Sequence, residues 1–182
     1  MTYVAFVETG RCPVSFVASV KAEGPLTGSS VRGFWHVSFT VSNLEASVKW
    51  YTEVLGLEYV RGQEQHNEYT ARLVGYPGAH LKVAQLRVPG ETIPISRHHI
   101  ELVEYVNPRG ADIPLDTNRT GVGHWCFMVD DLHAEYARLS ALGVKFKAPQ
   151  PVAIEHGVNK GGYTVYFTDP DGITLELLQP PP

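Results

Sequence analysis

The sequence predicts an α+β fold made of two repeated modules, each with the element order βαβββ. Stretches that alternate apolar and polar residues, as half-buried strands do, flank two segments with apolar residues at helical spacing. Five positions within residues 34–46 carry the same residue as the position 88 further along the chain, and both predicted helices end at a Leu-Gly pair. The length of 182 residues and the hydrophobic fraction of 43% suit one domain or two small modules that share a core.

Bulk composition argues against several classes of partner. A net charge of −4 gives no electrostatic attraction to nucleic acid or to an anionic membrane, and no apolar run reaches the length that spans a bilayer. The start of the chain lacks the basic region of a secretory signal, and two cysteines are too few for a disulfide framework. We therefore expect a cytoplasmic protein without nucleic-acid or membrane partners.

The first module is predicted over residues 34–106, after an N-terminal extension at residues 1–33. Its first strand places His36 on one face and apolar residues on the other. Asn43 or Ser42 begins the following helix as an N-cap, and a glycine ends it. The segment at residues 68–75 fits a short helix and an irregular strand equally well. The predicted strands cover residues 34–41, 57–61, 79–88 and 98–106, and the helix covers residues 44–55.

The second module is predicted over residues 123–182, after a linker at residues 107–122 that is rich in proline and glycine. Its first strand places His124 and Cys126 on one face, and Cys126 is interpreted as a small buried hydrophobe. An Asp-Asp pair caps the next helix, and a glycine ends it. The predicted strands cover residues 123–129, 144–147, 163–168 and 173–178, and the helix covers residues 132–142.

Two histidines and two glutamates occupy matching places in the two modules. His36 and His124 lie near the start of the first strand of each module. Glu101 and Glu176 lie between apolar residues in the last strand. Because the apolar neighbours pack against a helix, these four side chains point to the opposite face. If the two first strands lie side by side, the four meet on the concave face of one curved mixed sheet. Two buried carboxylates require a cation, so the pattern predicts a divalent metal site, and the ligand types suit Zn²⁺, Ni²⁺, Co²⁺, Mn²⁺ or Fe²⁺.

These motifs resemble the vicinal oxygen chelate superfamily, which contains glyoxalase I, methylmalonyl-CoA epimerase, extradiol dioxygenases and bleomycin- or fosfomycin-resistance proteins. The resemblance covers residues 34–179. It implies that the metal ligands are His36, Glu101, His124 and Glu176, and that Glu101 or Glu176 is the base that moves a proton. We expect a homodimer, with the site completed either within one chain or across two. The matching stretches are residues 36–44, 50–57, 100–105, 124–132 and 169–176.

The leading hypothesis from this resemblance is a metal-dependent lyase or isomerase of the glyoxalase or epimerase type. Such an enzyme transfers a proton on a small carbonyl or thioester substrate. Glu101 favours it over a dioxygenase, because dioxygenases of this superfamily leave the fourth ligand position empty. No convincing glutathione pocket is recognisable in the sequence. The side chains that would contact an anionic substrate are Arg61, Arg109, Asn118, Arg119 and Lys160.

Two alternatives remain open at this point. An Fe²⁺ extradiol dioxygenase would take three ligands from the two strand histidines and Glu176, and the C-terminal stretch nearly fits the extradiol signature. In that enzyme His156 and Tyr166 would be acid–base groups beside the metal. His99, which faces the same side as the proposed ligands, would be a further group beside the metal or a substitute ligand. The other alternative is a protein that sequesters a drug and lacks the metal ligands.

Overall fold

The fold is described by a computed structural model for residues 35–90 and 99–182. The predicted N-terminal extension and the first residues of the strands predicted at 34–41 and 98–106 lie outside the described residues. No helix in the described ranges is both long and apolar enough to cross a membrane. The helices are α1 (Leu44–Glu53), α2 (Glu68–Val74) and α3 (Leu132–Ala141). The strands are β1 (His36–Thr40), β2 (Glu58–Gln65), β3 (His80–Arg87), β4 (His99–Asn107), β5 (Trp125–Met128), β6 (Val152–Ala153), β7 (Tyr163–Thr168) and β8 (Thr174–Gln179).

The strands form two four-stranded mixed sheets, one in each module. The first sheet has the order β1-β4-β3-β2, and the second has the order β5-β8-β7-β6. In each sheet the first strand of the module runs parallel to the last, and the other neighbours are antiparallel. The α+β class and the repeated module are confirmed. The expected single curved sheet is replaced by two sheets, because in the described chain β1 and β5 each pair with the last strand of their own module.

Capping residues explain where the helices begin and end. The side chains of Asn43, Asn67 and Asp131 each accept a hydrogen bond from the backbone N–H three residues further on. Gly75 ends α2 with a left-handed φ of 77°, a conformation that disfavours residues with a side chain. The ambiguous segment at 68–75 is therefore a short helix.

One predicted strand is much reduced in the structure. Residues 144–147 meet β7 at a single bridge between Phe146 and Phe167, flanked by two backbone hydrogen bonds. Pro149 and Pro151 follow directly and have no N–H to continue the pairing. The edge of the second sheet is instead completed by the two residues of β6.

Both modules pack their helical sides into one shared core. It contains Tyr51 of α1, Leu102 of β4, Leu139 of α3 and Phe167 of β7, all fully buried. A polar contact crosses the same region, where the Tyr51 hydroxyl donates to Oδ2 of Asp169 at 3.0 Å. The two modules therefore meet through their helices and through the helix-facing sides of their sheets.

We call the side of each sheet that turns away from the shared core its outer face. It carries His36 and Glu101 in the first sheet, and Cys126 and Glu176 in the second, because alternate strand residues point to opposite sides. The predicted orientation of these side chains relative to their apolar neighbours thus agrees with the strands observed. The shared core separates one outer face from the other.

Candidate metal centre

The first His–Glu pair lies on the outer face of the first sheet. The register of β1 and β4 places Ser38 opposite Glu101 and His36 opposite His99. The His36 ring therefore reaches Glu101 diagonally, with Nε2 3.5 Å from Oε1. The side chain of His36 is 36% exposed and that of Glu101 is 16% exposed, so the pair opens to solvent on the histidine side. We call this pair the first half-site.

The second His–Glu pair lies on the outer face of the second sheet. Nε2 of His124 is 3.1 Å from Oε2 of Glu176, and the Tyr166 hydroxyl is 3.3 Å from the same Nε2. The Thr164 hydroxyl donates to the other carboxylate oxygen, Oε1, at 2.5 Å. Cys126 lies opposite Glu176 in the register of β5 and β8. We call the His124–Glu176 pair the second half-site.

The two glutamates occupy equivalent strand positions but have different neighbouring side chains. Each glutamate has one register partner on the parallel first strand and another on the antiparallel neighbour. Around Glu101 these partners are Ser38 and Gln85. Around the second glutamate they are Cys126 and Tyr166. The internal repeat seen in the sequence therefore extends to the strand pairing, but the surroundings of the two carboxylates have diverged.

The structure brings the four predicted ligands together as two pairs rather than as one group. Among residues 35–90 and 99–182, no group of three or more His, Cys, Asp or Glu side chains is arranged to hold a metal ion. The condition under which all four would meet, that the two first strands lie side by side, is not fulfilled within the described chain, because β1 and β5 belong to separate sheets. Each half-site still presents an imidazole nitrogen beside a carboxylate oxygen, which are donors that fit a borderline or hard divalent cation.

Two protonated groups surround the second half-site. The pKa of Cys126 is raised to about 12, first by partial burial of the thiol and then by the nearby Glu176 carboxylate. The thiol is therefore neutral at pH 7. Burial, followed by the same carboxylate, also raises the pKa of Tyr166. The interpretation of Cys126 as a buried hydrophobe is wrong, because the residue is exposed on the outer face. Both groups can donate a hydrogen bond but carry no charge.

The remaining predicted site residues occupy different settings. His99 is half-buried and lies opposite His36 on the neighbouring strand, beside the first half-site. His156 is exposed in the loop between β6 and β7. Of the two acid–base groups expected for a dioxygenase, Tyr166 contacts a half-site directly.

Two polar partners of the carboxylates were not found by sequence reasoning. Gln85 donates from Nε2 to Oε2 of Glu101 at 3.0 Å, and Thr164 donates to Glu176. Both residues belong to strands that were predicted, on β3 and β7. Which residue faces which across a sheet depends on register, and a single sequence does not specify register.

A cleft of about 800 Å³ opens beside Ser38, the register partner of Glu101. Ser38 and Thr40 line it from the outer face of β1, and Tyr105 lines it from β4. Residues 109–113 of the linker form another wall. His36 and Glu101 are not among its lining residues, so the cleft touches the first half-site's strand row through Ser38.

Three of the side chains predicted to contact an anionic substrate are bound to the protein itself. Arg61 donates to Gln85, Arg119 donates to Asp116, and Arg109 donates to a backbone carbonyl. Their hydrogen bonds therefore hold loops and strands in place.

Comparisons with known proteins identify relatives in sequence and in structure. The sequence profile of the Glyoxalase/Bleomycin resistance protein/Dioxygenase superfamily matches residues 33–177. A probable lactoylglutathione lyase of Vibrio parahaemolyticus is 32% identical over 147 residues, which cover 79% of this chain and 88% of that protein. A 2-epi-5-epi-valiolone epimerase of Actinomyces is 31% identical over 165 residues, covering 86% and 85%. The crystal structure of a glyoxalase family protein from Bacillus cereus has a TM-score of 0.71 at 18% identity, covering 87% of this chain and 100% of that chain.

Proposed function

Because the chain belongs to the Glyoxalase/Bleomycin resistance protein/Dioxygenase superfamily, we propose that it is a metal-dependent lyase or isomerase. It moves a proton on a small carbonyl or thioester substrate. The observation that carries this proposal is the pair of half-sites, each of which presents an imidazole from the beginning of the module's first strand, at or just before it, and a carboxylate from its last strand. The names of the two sequence relatives, a lyase and an epimerase, support the same class of reaction.

The proposed ligands of the metal are His36, Glu101, His124 and Glu176. Neutral imidazole with carboxylate suits Zn²⁺, Ni²⁺, Co²⁺, Mn²⁺ or Fe²⁺. When bound, such an ion polarises a substrate carbonyl as a Lewis acid and so acidifies the adjacent C–H. Glu101 or Glu176 accepts that proton at a carboxylate oxygen and returns it to the substrate. The cleft beside Ser38 and Thr40 holds the rest of the substrate.

We propose that a second copy of the chain completes each centre. One half-site supplies only two ligands, and the side chains of His36 and His124 are 36% and 38% exposed, so both half-sites face solvent. Within the described residues β1 and β5 are the outermost strands of their sheets, and each lies next to its half-site, where a strand of a second chain can pair. A two-fold dimer that sets β1 of one chain beside β5 of the other joins a first half-site to a second half-site at both contacts. Each centre then has four ligands.

Subunit mixing tests this arrangement. The variant His36→Ala/Glu101→Ala lacks the first half-site, and the variant His124→Ala/Glu176→Ala lacks the second. Neither variant alone is expected to retain stoichiometric metal. A mixed dimer regains one intact centre, because the first half-site of one chain meets the second half-site of the other. Metal analysis after subunit exchange measures the recovery. Folded variants that exchange subunits and recover no metal would contradict a centre shared between chains.

Deuterium exchange tests the reaction. The metal-loaded protein is incubated in D₂O with lactoylglutathione and, separately, with 2-epi-5-epi-valiolone, the compounds in the names of its relatives. We expect metal-dependent incorporation of deuterium next to a carbonyl of at least one compound. Glu101→Gln or Glu176→Gln should slow it by about 10²–10⁴-fold. Glu155→Gln, an exposed loop variant, serves as the control. Metal-loaded protein that exchanges neither these compounds nor simple hydroxyketones would contradict the proposed reaction.

An Fe²⁺ extradiol dioxygenase is the second candidate, favoured by the 3.3 Å contact between the Tyr166 hydroxyl and Nε2 of His124. Tyr166 would then be the acid–base group beside the metal, and Glu101 would remain outside the ligand set. Anaerobic loading with Fe²⁺, followed by measurement of oxygen uptake with catechols, separates the two reactions, because proton transfer consumes no oxygen. Stoichiometric bound metal would count against the drug-sequestering alternative.

A further inference from the structure

Three polar side chains form a row across the outer face of the first sheet. Arg61 on β2 is the register partner of Gln85 on β3, and Gln85 is the register partner of Glu101 on β4. Nε of Arg61 donates to Oε1 of Gln85 at 2.9 Å, and Nε2 of Gln85 donates to Oε2 of Glu101 at 3.0 Å. Gln85 is only 8% exposed, so its amide is largely withdrawn from water and depends on these two partners.

The chemistry of the row determines which way the central amide points. A guanidinium can only donate hydrogen bonds, and an ionised carboxylate can only accept them. An amide does both, so Gln85 fits between them only with its oxygen toward Arg61 and its NH₂ group toward Glu101. Arg61 thereby selects one of the two amide orientations that are otherwise close in shape.

The row leaves one oxygen of Glu101 for another partner. Oε2 is occupied by the Gln85 amide, whereas Oε1 lies 3.5 Å from Nε2 of His36. We propose that Arg61 and Gln85 are positioning residues that hold Glu101 so that Oε1 alone is presented to the metal. This inference rests on the proposed function, because it concerns a ligand of the proposed centre. It assigns a role to two side chains that touch neither the metal nor the substrate.

The second half-site is built differently at the equivalent positions. Tyr166 occupies the register position of Gln85 but contacts His124 rather than the carboxylate. β6, which occupies the place of β2, pairs with Tyr163 and Thr164, and the residue beside Tyr166 is Lys147, whose backbone N–H donates to Tyr166 and whose Nζ donates to Thr174. Within the described part of the chain, the guanidinium–amide row therefore supports Glu101 and has no counterpart at Glu176.

Metal affinity tests the row directly. Co²⁺ is titrated into the metal-free protein and followed by its visible absorption. Gln85→Met keeps the volume of the side chain but removes both hydrogen bonds, and we expect Co²⁺ affinity to fall by about 10–100-fold, as for other groups that orient a ligand. Arg61→Met should cause a smaller loss, because Gln85 can still donate but its orientation is no longer selected. Gln63→Met, exposed in the next row of the same face, is the control and should bind like the parent protein.

A double-mutant cycle separates positioning from general damage to the fold. If Gln85 acts through Glu101, Gln85→Met should have no further effect on Co²⁺ affinity in the Glu101→Ala background. Equal losses in both backgrounds would overturn the proposal, and so would parent-like affinity of Gln85→Met. These outcomes leave the proposed function intact, since the parent protein still binds the metal.

The row can also be tested without metal. In ¹H–¹⁵N spectra of the metal-free protein, the side-chain amide resonances of Gln85 should shift in Arg61→Met and in Glu101→Ala, and should be unmoved in Gln63→Met. Unmoved resonances in the first two variants would overturn the proposal by themselves. If the parent protein fails to bind Co²⁺ or any other divalent ion, the proposed function fails, and the positioning role toward a metal fails with it.

Discussion

The buried carboxyl group of Asp169 makes the stability of the shared core depend on pH. Burial raises the pKa of Asp169 from 3.8 to about 6, although hydrogen bonds from the Ile173 N–H and the Tyr51 hydroxyl act in the opposite direction. Because the pKa of Asp169 is higher in the folded protein than in the unfolded chain, protonation of its carboxyl group stabilises the fold. This stabilisation is fully present below the unfolded-state pKa and is lost as pH rises through about 6. A shift of about two pKa units corresponds to about 3 kcal/mol.

Asp169→Asn provides the perturbation that isolates this effect. The asparagine keeps an oxygen that can accept the backbone N–H groups, but it does not titrate. Urea unfolding of both proteins is measured between about pH 4 and pH 7 at one protein concentration. We expect the free energy of unfolding of the parent, relative to the variant, to fall by about 2 kcal/mol across this range, because at pH 4 part of the full effect is already lost. Asp130→Asn, an exposed position, is the control.

The direction of the pH dependence decides whether the reasoning is sound. A parent-to-variant difference that is constant with pH would show that burial and hydrogen bonding cancel at Asp169. A difference that rises with pH would show that the hydrogen-bond donors outweigh burial and hold the pKa below its ordinary value, as they do for some well-bonded carboxylates. Either result refutes the prediction.

Three further predictions, one of them with a control variant, concern a buried hydrogen bond, a close backbone approach and a helix cap, and all are measured by urea unfolding. Tyr51→Phe leaves the buried carboxylate of Asp169 without one donor and should lower the free energy of unfolding by about 1–3 kcal/mol; an unchanged value would contradict the role of this bond. Gly162→Ala pushes a Cβ against a backbone carbonyl of β8 and should cost about 1–3 kcal/mol, whereas Gly110→Ala meets open space and should change stability much less. Asn43→Ala removes the N-cap of α1 and should cost about 1 kcal/mol, with parent-like stability as the contrary result.

Local pattern was sufficient to predict the faces on which the candidate ligands lie. His36 and Glu101 alternate with apolar residues that enter the shared core, and Glu176 does the same in the second module. Alternation in a strand needs no knowledge of its neighbours. The helix at 68–75 was ambiguous from periodicity alone, because seven residues give too few turns for a clear stripe.

Long-range packing was beyond the sequence pattern. The same alternation fits one eight-stranded sheet or two four-stranded sheets. The choice is linked to contacts such as that between Tyr51 and Asp169, which are 118 residues apart. The side chains that donate hydrogen bonds to Glu101 and Glu176 were not predicted, because they too depend on which strands pair. Gln85 is an ordinary polar residue in a strand until register places it between a guanidinium and a carboxylate.

Within the described residues β1 and β5 each lie at the edge of a sheet, and pairing at these edges determines how the proposed assembly would stop growing. Contact of β1 in one chain with β5 in another joins two different surfaces, so the rotation between the chains decides the outcome. With a two-fold rotation both edges are consumed within a pair. With any rotation that does not close, one β1 and one β5 stay exposed at the ends, and further chains add into a fibre. Two-fold closure would therefore limit the assembly to a dimer. A different angle between the chains would leave the same two edges exposed, and these edges would then pair with further chains into a polymer.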